Sequence, residues 1–230
     1  MTINYNPRIV TSGLVLHLDA ANPKSYPGTG TAWTDLSGNR NNGILTNGPT
    51  YNSANNGSIV FDGVDDFVIN SSTTNIPVGN SSRTIQCWVY PKSDTNSFVQ
   101  LGTGGGGNQV YILSFYNISG TRYLFTDGIN VANNLTISGS QLPTLNAWSH
   151  ITFGNSGQNW FYYLNGVLQR SGTFSVTLNT IGQKYIVGKR DDSPANTASA
   201  NIAQASIYNR ALSAAEVQQN FAALRGRYGI

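Results

Sequence analysis

Charge is scarce in this chain. Asp, Glu, Lys and Arg together make up 10% of its 230 residues, against roughly 25% in an average soluble protein. The 13 basic and 10 acidic residues leave a net charge of +3, with no run of like charge. Nucleic-acid binding rests on clustered Lys and Arg facing phosphates, so scattered basic residues argue against such a partner. One cysteine, Cys87, excludes an internal disulfide framework. It lies in the apolar run TIQCWV, where a buried, inert thiol is expected. No window approaches the ~18 apolar residues of a membrane span, so no membrane insertion is expected. The opening MTINYNPRIV has no basic segment leading into an apolar one, so no secretory signal is expected there.

Catalytic groups are equally thin. Glycoside hydrolysis uses two carboxyl groups flanking the scissile bond, yet Glu216 is the single glutamate and has a structural role described below. Of the aspartates, Asp65 and Asp66 are adjacent, and successive strand side chains point to opposite faces. Asp191 and Asp192 lie in a Ser/Pro/Asn stretch and read as solvated turn residues. His17 and His150 both sit in strand-like patterns, and Gly154-Asn-Ser-Gly-Gln fails as a nucleophile elbow at its last position. His150 reads as a packed sandwich histidine. Two histidines and one cysteine give no zinc-ligand spacing. Gly102, Gly104 and Gly107 match the dinucleotide pattern, but a strand-like VYILSFY follows instead of the helix that the pattern requires. Residues 102–108 are therefore expected to be a flexible hairpin loop. The chain is not expected to be an enzyme.

What replaces charge is Asn, Ser, Thr and Gly, with asparagine slightly outnumbering the 25 glycines. These are turn-forming residues. Between them, apolar alternation at period two recurs from residue 13 to about 209. GLVLHLD puts Leu14, Leu16 and Leu18 on one face. SIVFDG and DFVIN are expected to form a hairpin about the Asp62–Asp66 turn. RTIQCWVYP sets Ile85, Cys87 and Val89 opposite Gln86, Trp88 and Tyr90. SFVQLG, VYILSFY, RYLFTD, LTIS, WSHITFG, NWFYYLNG, VLQRSG, KYIVGK and NIAQASIYNR complete the series. A dozen or so short strands separated by turns predict an antiparallel sandwich, and such sandwiches of roughly 200–250 residues form single domains.

The C-terminus departs from that period. Ser213 followed by Glu216 matches a capping box, in which each side chain bonds the other residue's amide. Leu212 and Val217 occupy the flanking staple positions. Val217, Phe221 and Leu224 then recur at helical spacing, and Arg225 and Arg227 suit the C-terminal dipole. A short amphipathic helix laid on the sandwich is expected.

Two binding readings arise from the residues. Aromatics are 11% of the chain, and sugars offer apolar ring faces together with hydroxyls. Gln86, Trp88 and Tyr90 on one strand face, with Arg122 on a neighbouring strand, are candidates for binding carbohydrate. The same aromatics equally suit the core or a subunit interface. Asp62, Asp65 and Asp66 form a local acidic cluster suited to calcium, which takes carboxylates from loops, or simply a turn rich in aspartate. The Asn-x-Ser/Thr triplets at Asn70, Asn80, Asn117 and Asn134 read as chance matches in so polar a chain.

Several segments taken in order resemble a known family. GLVLHLDAANPKSY…WTDLSGNRNNGIL, SIVFDGVDDFV, TIQCWVYP, WSHITFGNSGQNWFYYLNGVLQRSG and IAQASIYNRALSAAEV are similar to the laminin-G-like, or concanavalin A-like, lectin/glucanase jelly roll. The resemblance implies two curved antiparallel sheets packed face to face, Trp148 as a core tryptophan, and Asn165-Gly166 as a hairpin turn of the type that Asn-Gly favours. The LDAANPKSY opening and the YNRALSAAEVQQNF helix are most similar to modules of bacteriophage head- or tail-associated proteins. Glycosidase members carry a Glu/Asp cluster on one strand that has no match here. Calcium-binding relatives carry an acidic residue before the final helix, where this chain has Ala203 within Asn201-Ile202-Ala203-Gln204.

The expectation is therefore an all-β, antiparallel two-sheet jelly roll with one short C-terminal helix. It would form a single domain over 1–230, with an N-terminal arm over 1–12 and the helix over 213–225. Its expected role is a non-catalytic virion module, assembled in the host cytoplasm, that adheres to cell-surface or environmental glycans or decorates the particle. Other virion proteins and further copies of the chain are the expected partners, with calcium as the candidate ion. A cement protein making protein–protein contacts is the first alternative, and a glycoside hydrolase the second.

Overall fold

A computed structural model describes residues 7–103, 109–127, 137, 139–191 and 196–230. In chain order its strands are β1 (Leu14–Asp19), β2 (Ala32–Trp33), β3 (Gly43–Thr46), β4 (Thr50–Asn52), β5 (Ser58–Asp62), β6 (Phe67–Asn70), β7 (Arg83–Pro91) and β8 (Asn96–Gly102). They continue with β9 (Val110–Ile118), β10 (Thr121–Asp127), β11 (Ser149–Ser156), β12 (Asn159–Leu164), β13 (Val167–Thr173), β14 (Tyr185–Val187) and β15 (Ser199–Tyr208), and the chain closes on helix α1 (Ala214–Tyr228). One sheet runs β13-β12-β11-β7-β15-β5-β4, the other β10-β9-β8-β14-β6-β3-β2. Pairing is antiparallel throughout, and the two sheets pack as a jelly-roll sandwich.

The predicted alternation appears directly in the core. Ile85, Cys87 and Val89 of β7 point between the sheets, where they meet Ile151 and Phe153 of β11 and Phe98 and Leu101 of β8. Burying a side chain of this kind contributes roughly 1.5–3 kcal/mol. The Cys87 thiol is wholly enclosed there, and burial raises its pKa far above the ordinary range. Asn165 (φ 50°) and Gly166 (φ 76°) form the left-handed turn joining β12 to β13, as Asn-Gly predicts.

Three local expectations are corrected. β5 and β6 do not form a hairpin: β5 pairs with β15 and β4, whereas β6 pairs with β14 and β3. The Asp62–Asp66 turn carries the chain from one sheet to the other. Leu14 does not share the face of Leu16 and Leu18, because a register shift between Leu14 and Leu16 turns it toward Val10, Tyr208 and Val217. Asp191 is not a solvated turn residue: its carboxylate lies 2.7 Å from Lys184 Nζ. The glycine loop at 104–108, Asp192 and, apart from Ile137, the LTIS segment lie outside the described residues.

Helix α1 forms as its cap predicts and runs three residues further than expected. Ser213 Oγ accepts the Glu216 amide at 3.3 Å, and Glu216 Oε2 accepts the Ser213 amide at 2.9 Å. Arg210 adds a bidentate pair to the same carboxylate at 2.9 and 2.6 Å, which with the cap lowers the Glu216 pKa to about 2. Leu212 and Val217 staple the entry within one buried cluster. Gly229 at φ 72° ends the helix in the left-handed conformation, its amide bonding the Arg225 carbonyl. The arm preceding β1 is tied to this helix, since the Val10 amide donates to Asn220 Oδ1 at 2.7 Å. Among the described residues, no helix is long and apolar enough to cross a membrane.

Candidate functional site

The outward face of β7 carries Gln86, Trp88 and Tyr90, and α1 divides them. Gln86 and Trp88 lie beneath the helix. Asn220 Nδ2 donates to Gln86 Oε1 at 2.7 Å, and Gln86 Nε2 donates to Thr152 Oγ1 at 3.1 Å. Trp88 stacks on Tyr228 at 4.2 Å and packs against His150 and Phe221 at 5.0 and 5.8 Å. Both side chains are sealed from solvent and offer no surface to a sugar. Arg122 is not a neighbour either, because the chain crosses to the other sheet at β8 and Arg122 lies on β10. There it pairs with Asp94 at 3.1 Å, donates to the Pro143 carbonyl at 3.2 Å, and lines a separate cavity with Gly120, Thr121 and Leu142.

Of the three on β7, Tyr90 alone emerges, beyond the C-terminal end of α1. It opens onto a cleft of about 330 Å³ lined by Asn52, Ala54, Asn55, Ser58, Tyr90, Lys92, Trp148 and Asn201. The floor comes from adjacent strands of one sheet. Asn201 on β15 sits between Tyr90 on β7 and Val60 on β5. One wall is aromatic, with Tyr90 and Trp148 meeting edge to face at 5.6 Å and 60°. The tryptophan was expected in the core. It is partly buried at the edge of the cluster of Trp88, Phe221 and Tyr228, just before β11, with the Tyr228 ring at 4.7 Å and Nε1 donating to Asn55 Oδ1 at 3.1 Å.

A second wall, joined to Trp148 through Asn55, is a short turn, Ala54–Asn56, whose shape follows from Asn-Asn-Gly. Asn55 and Asn56 adopt left-handed φ values of 53° and 67°, a conformation that asparagine tolerates. Gly57 follows at φ 136°, where a Cβ would meet the Ala20 carbonyl oxygen at 2.5 Å. Asn55 Nδ2 also donates to the Arg227 carbonyl at 3.3 Å, joining the turn to the end of α1.

The floor of the cleft is chemically incomplete. Ser58 Oγ and Asn201 Oδ1 are both buried and have no hydrogen-bond partner. A buried polar atom left unpaired costs about 1–3 kcal/mol, and water or a ligand hydroxyl entering the cleft satisfies it. The described lining contains amides, hydroxyls, two aromatic rings and one ammonium, with no carboxylate. Such a set can bind a hydroxylated molecule with an apolar face. It holds neither the acid nor the base of a glycosidase.

The other candidate groups are placed as follows. Ligand atoms of Asp62, Asp65 and Asp66 lie within 4.8 Å of one another, a spacing compatible with one cation. Two of the carboxylates already serve the turn: Asp66 Oδ2 accepts the Asp62 amide at 3.0 Å and Asp62 Oδ1 accepts the Val64 amide at 2.7 Å. Burial, then the neighbouring carboxylates, raise the Asp66 pKa. Ala203 bulges from β15 into the cluster of Trp88, Phe221 and Tyr228, so a carboxylate at that position would be buried under the helix. His150 is packed as expected, and burial lowers its pKa to about 3. His17 Nδ1 lies 2.8 Å from Ser206 Oγ, its pKa lowered by burial against the opposing pull of Asp19 and Asp35.

A family model described as the concanavalin A-like lectin/glucanases superfamily matches residues 61–218. The chain belongs to that superfamily. No curated protein sequence matches it. Among solved structures, this concanavalin A-like chain resembles domain 4 of AbnA, a GH43 extracellular arabinanase from Geobacillus stearothermophilus in complex with arabinotriose. That match has a TM-score of 0.68 at 17% identity and covers 92% of this chain and 98% of the domain. The binding domain of Paraclostridial Mosquitocidal Protein 1 aligns with a TM-score of 0.64 at 18% identity over 91% of this chain. Trypanosoma rangeli sialidase in complex with sialic acid aligns at 0.68 and 17% over 95%. The chain spans 52% of the mosquitocidal binding domain and 34% of the sialidase. At these identities the likeness is one of fold.

Proposed function

We propose that this concanavalin A-like domain is a non-catalytic carbohydrate-binding module and that the cleft between Tyr90, Trp148 and the Ala54–Asn56 turn is its sugar site. One observation carries the reading: two aromatic rings converge with the unpartnered Ser58 Oγ and Asn201 Oδ1 in one open cleft. Aromatic faces cover the C–H face of a pyranose, and hydroxyls and amides at the floor take up its hydroxyls. The AbnA domain of like fold is described with arabinotriose, which agrees with such a use.

The setting we propose is a bacteriophage particle, with the module decorating the head or tail and adhering to cell-surface or environmental polysaccharide. The similarity of the LDAANPKSY opening and the YNRALSAAEV segment to phage structural modules supports this, as does the low charge. Weak single sites act through many linked copies there. A cement role is the second reading. It is favoured by Val167 and Leu168, adjacent on the outer strand β13 and 59% and 49% exposed, which would seat another virion protein or a further copy of the chain.

The test is a glycan array with wild type, Trp148→Ala and Tyr90→Ala, run with calcium and again with EDTA. Binding lost in both variants while their folds persist supports the cleft. Loss on chelation shows a calcium requirement, for which the Asp62, Asp65 and Asp66 cluster is the candidate site. No binding at high protein concentration, together with a stable oligomer broken by Leu168→Asp, favours the cement role.

A further inference from the structure

The charge in the cleft is one-sided. Among the described lining residues, its neutral polar groups come from Asn52, Asn55, Ser58 and Asn201, and its one cation is Lys92. The Lys92 amide continues the β7 ladder by donating to the Ser199 carbonyl at 2.8 Å, which fixes where its side chain leaves the sheet. That side chain is exposed and, among the described residues, lies in no ion pair. Two nearby acids are paired with arginines. Asp94 pairs with Arg122, and Asp19 pairs with Arg227 in the last turn of α1. Asp62, opposite Ser199 on β5, bonds the Val64 amide in its own turn and keeps its charge, but it is not among the described residues lining the cleft.

An exposed lysine by itself is an ordinary solvated residue. Here it stands at the rim of a cleft whose floor holds two buried, unpartnered oxygens, Ser58 Oγ and Asn201 Oδ1. Floor, wall and rim then ask for three features in one molecule: hydroxyl donors, an apolar ring face and a negative charge. The net charge of +3 favours approach of a polyanion. Resting on the carbohydrate reading above, we propose that the cleft takes an acidic glycan, one whose sugar units carry a carboxylate or sulfate, with Lys92 as its counter-ion.

The experiment compares charged polymers with their neutral counterparts on the whole protein. Polygalacturonate is set against its carboxyl-reduced form, and dextran sulfate against dextran, by affinity electrophoresis at about 0.05 and 0.3 M salt. A preference of roughly threefold to tenfold for the acidic member is expected at low salt, shrinking at high salt. Lys92→Gln is expected to erase the preference, read as the ratio of acidic to neutral binding within each pair. Arg40→Gln, which removes an exposed cation outside the cleft, is expected to keep it. A Lys92-dependent preference in the first pair identifies carboxylate as the source, and in the second sulfate. Equal binding within both pairs, or a preference that Lys92→Gln leaves intact, overturns the acidic class. The carbohydrate reading still stands if neutral glycans on the array bind in a Trp148-dependent manner. It falls with the inference if no glycan of either kind binds.

Discussion

Replacing Trp88 by alanine separates a packing role from a binding role. The indole is fully buried between β7 and α1, with Tyr228 stacked at 4.2 Å, His150 at 5.0 Å and Phe221 at 5.8 Å. Removing a buried tryptophan costs about 3–5 kcal/mol through lost transfer energy and the cavity left behind. In a chain of this length each kcal/mol lowers Tm by about 2–4 °C, so a fall of roughly 6–20 °C is expected. Trp148→Ala removes a partly buried ring with contacts to Tyr90 and Tyr228 and should cost about 1–2 kcal/mol. Scanning fluorimetry and urea unfolding measure both. Glycan binding should vanish in Trp148→Ala and persist in Trp88→Ala below its lowered Tm. A Trp88→Ala protein of unchanged stability that has lost binding refutes the reasoning, since it would place Trp88 on an open face.

Acid should destabilise the protein through its buried histidines. The His150 pKa falls from 6.5 when unfolded to about 3 when folded, so stability is complete above about pH 6.5. It declines toward pH 3 by at most ~1.4 kcal/mol per pH unit for one such group. His150→Phe, which also removes the unpartnered Nδ1, should flatten that slope in urea titrations across this range. Ser213→Ala should cost about 1 kcal/mol and speed hydrogen exchange in the first turn of α1, with little change in the sheets. Arg83 is buried with, among the described residues, no carboxylate partner, and donates to the Ser81, Pro77, Val78 and Gly79 carbonyls and to Thr180 Oγ1. Lysine lacks that fork, so Arg83→Lys should lose about 3 kcal/mol or more in urea unfolding. Gly188 sits at φ 88°, where a Cβ would meet the Phe61 ring at 2.4 Å. Gly188→Ala should therefore lower Tm by several degrees, about 1–3 kcal/mol in stability.

Whatever depends on neighbours along the chain is legible in the order of the residues. Period-two alternation separates Ile85, Cys87 and Val89 from Gln86, Trp88 and Tyr90, because successive strand side chains must face opposite ways. Ser213 and Glu216 close a cap within one turn, and Asn165-Gly166 closes a hairpin, through bonds a few residues long. Which partner each face meets is set by how the sheets and the helix pack. The alternation in SIVFDG and DFVIN is equally consistent with a hairpin and with two strands in opposite sheets, since the pairing energy lies with β15 and β14. The same limit governs the site. Gln86, Trp88 and Tyr90 are equivalent by alternation, yet α1 buries the first two and ends short of the third. Trp148, Asn55 and Asn201 reach Tyr90 from three distant segments. The Asn-Asn-Gly turn at 55–57 was the one local signal of that wall, a left-handed bend that a strand-by-strand reading passes over. A binding cleft is a convergence of segments, and convergence is set by how the sheets and the helix pack.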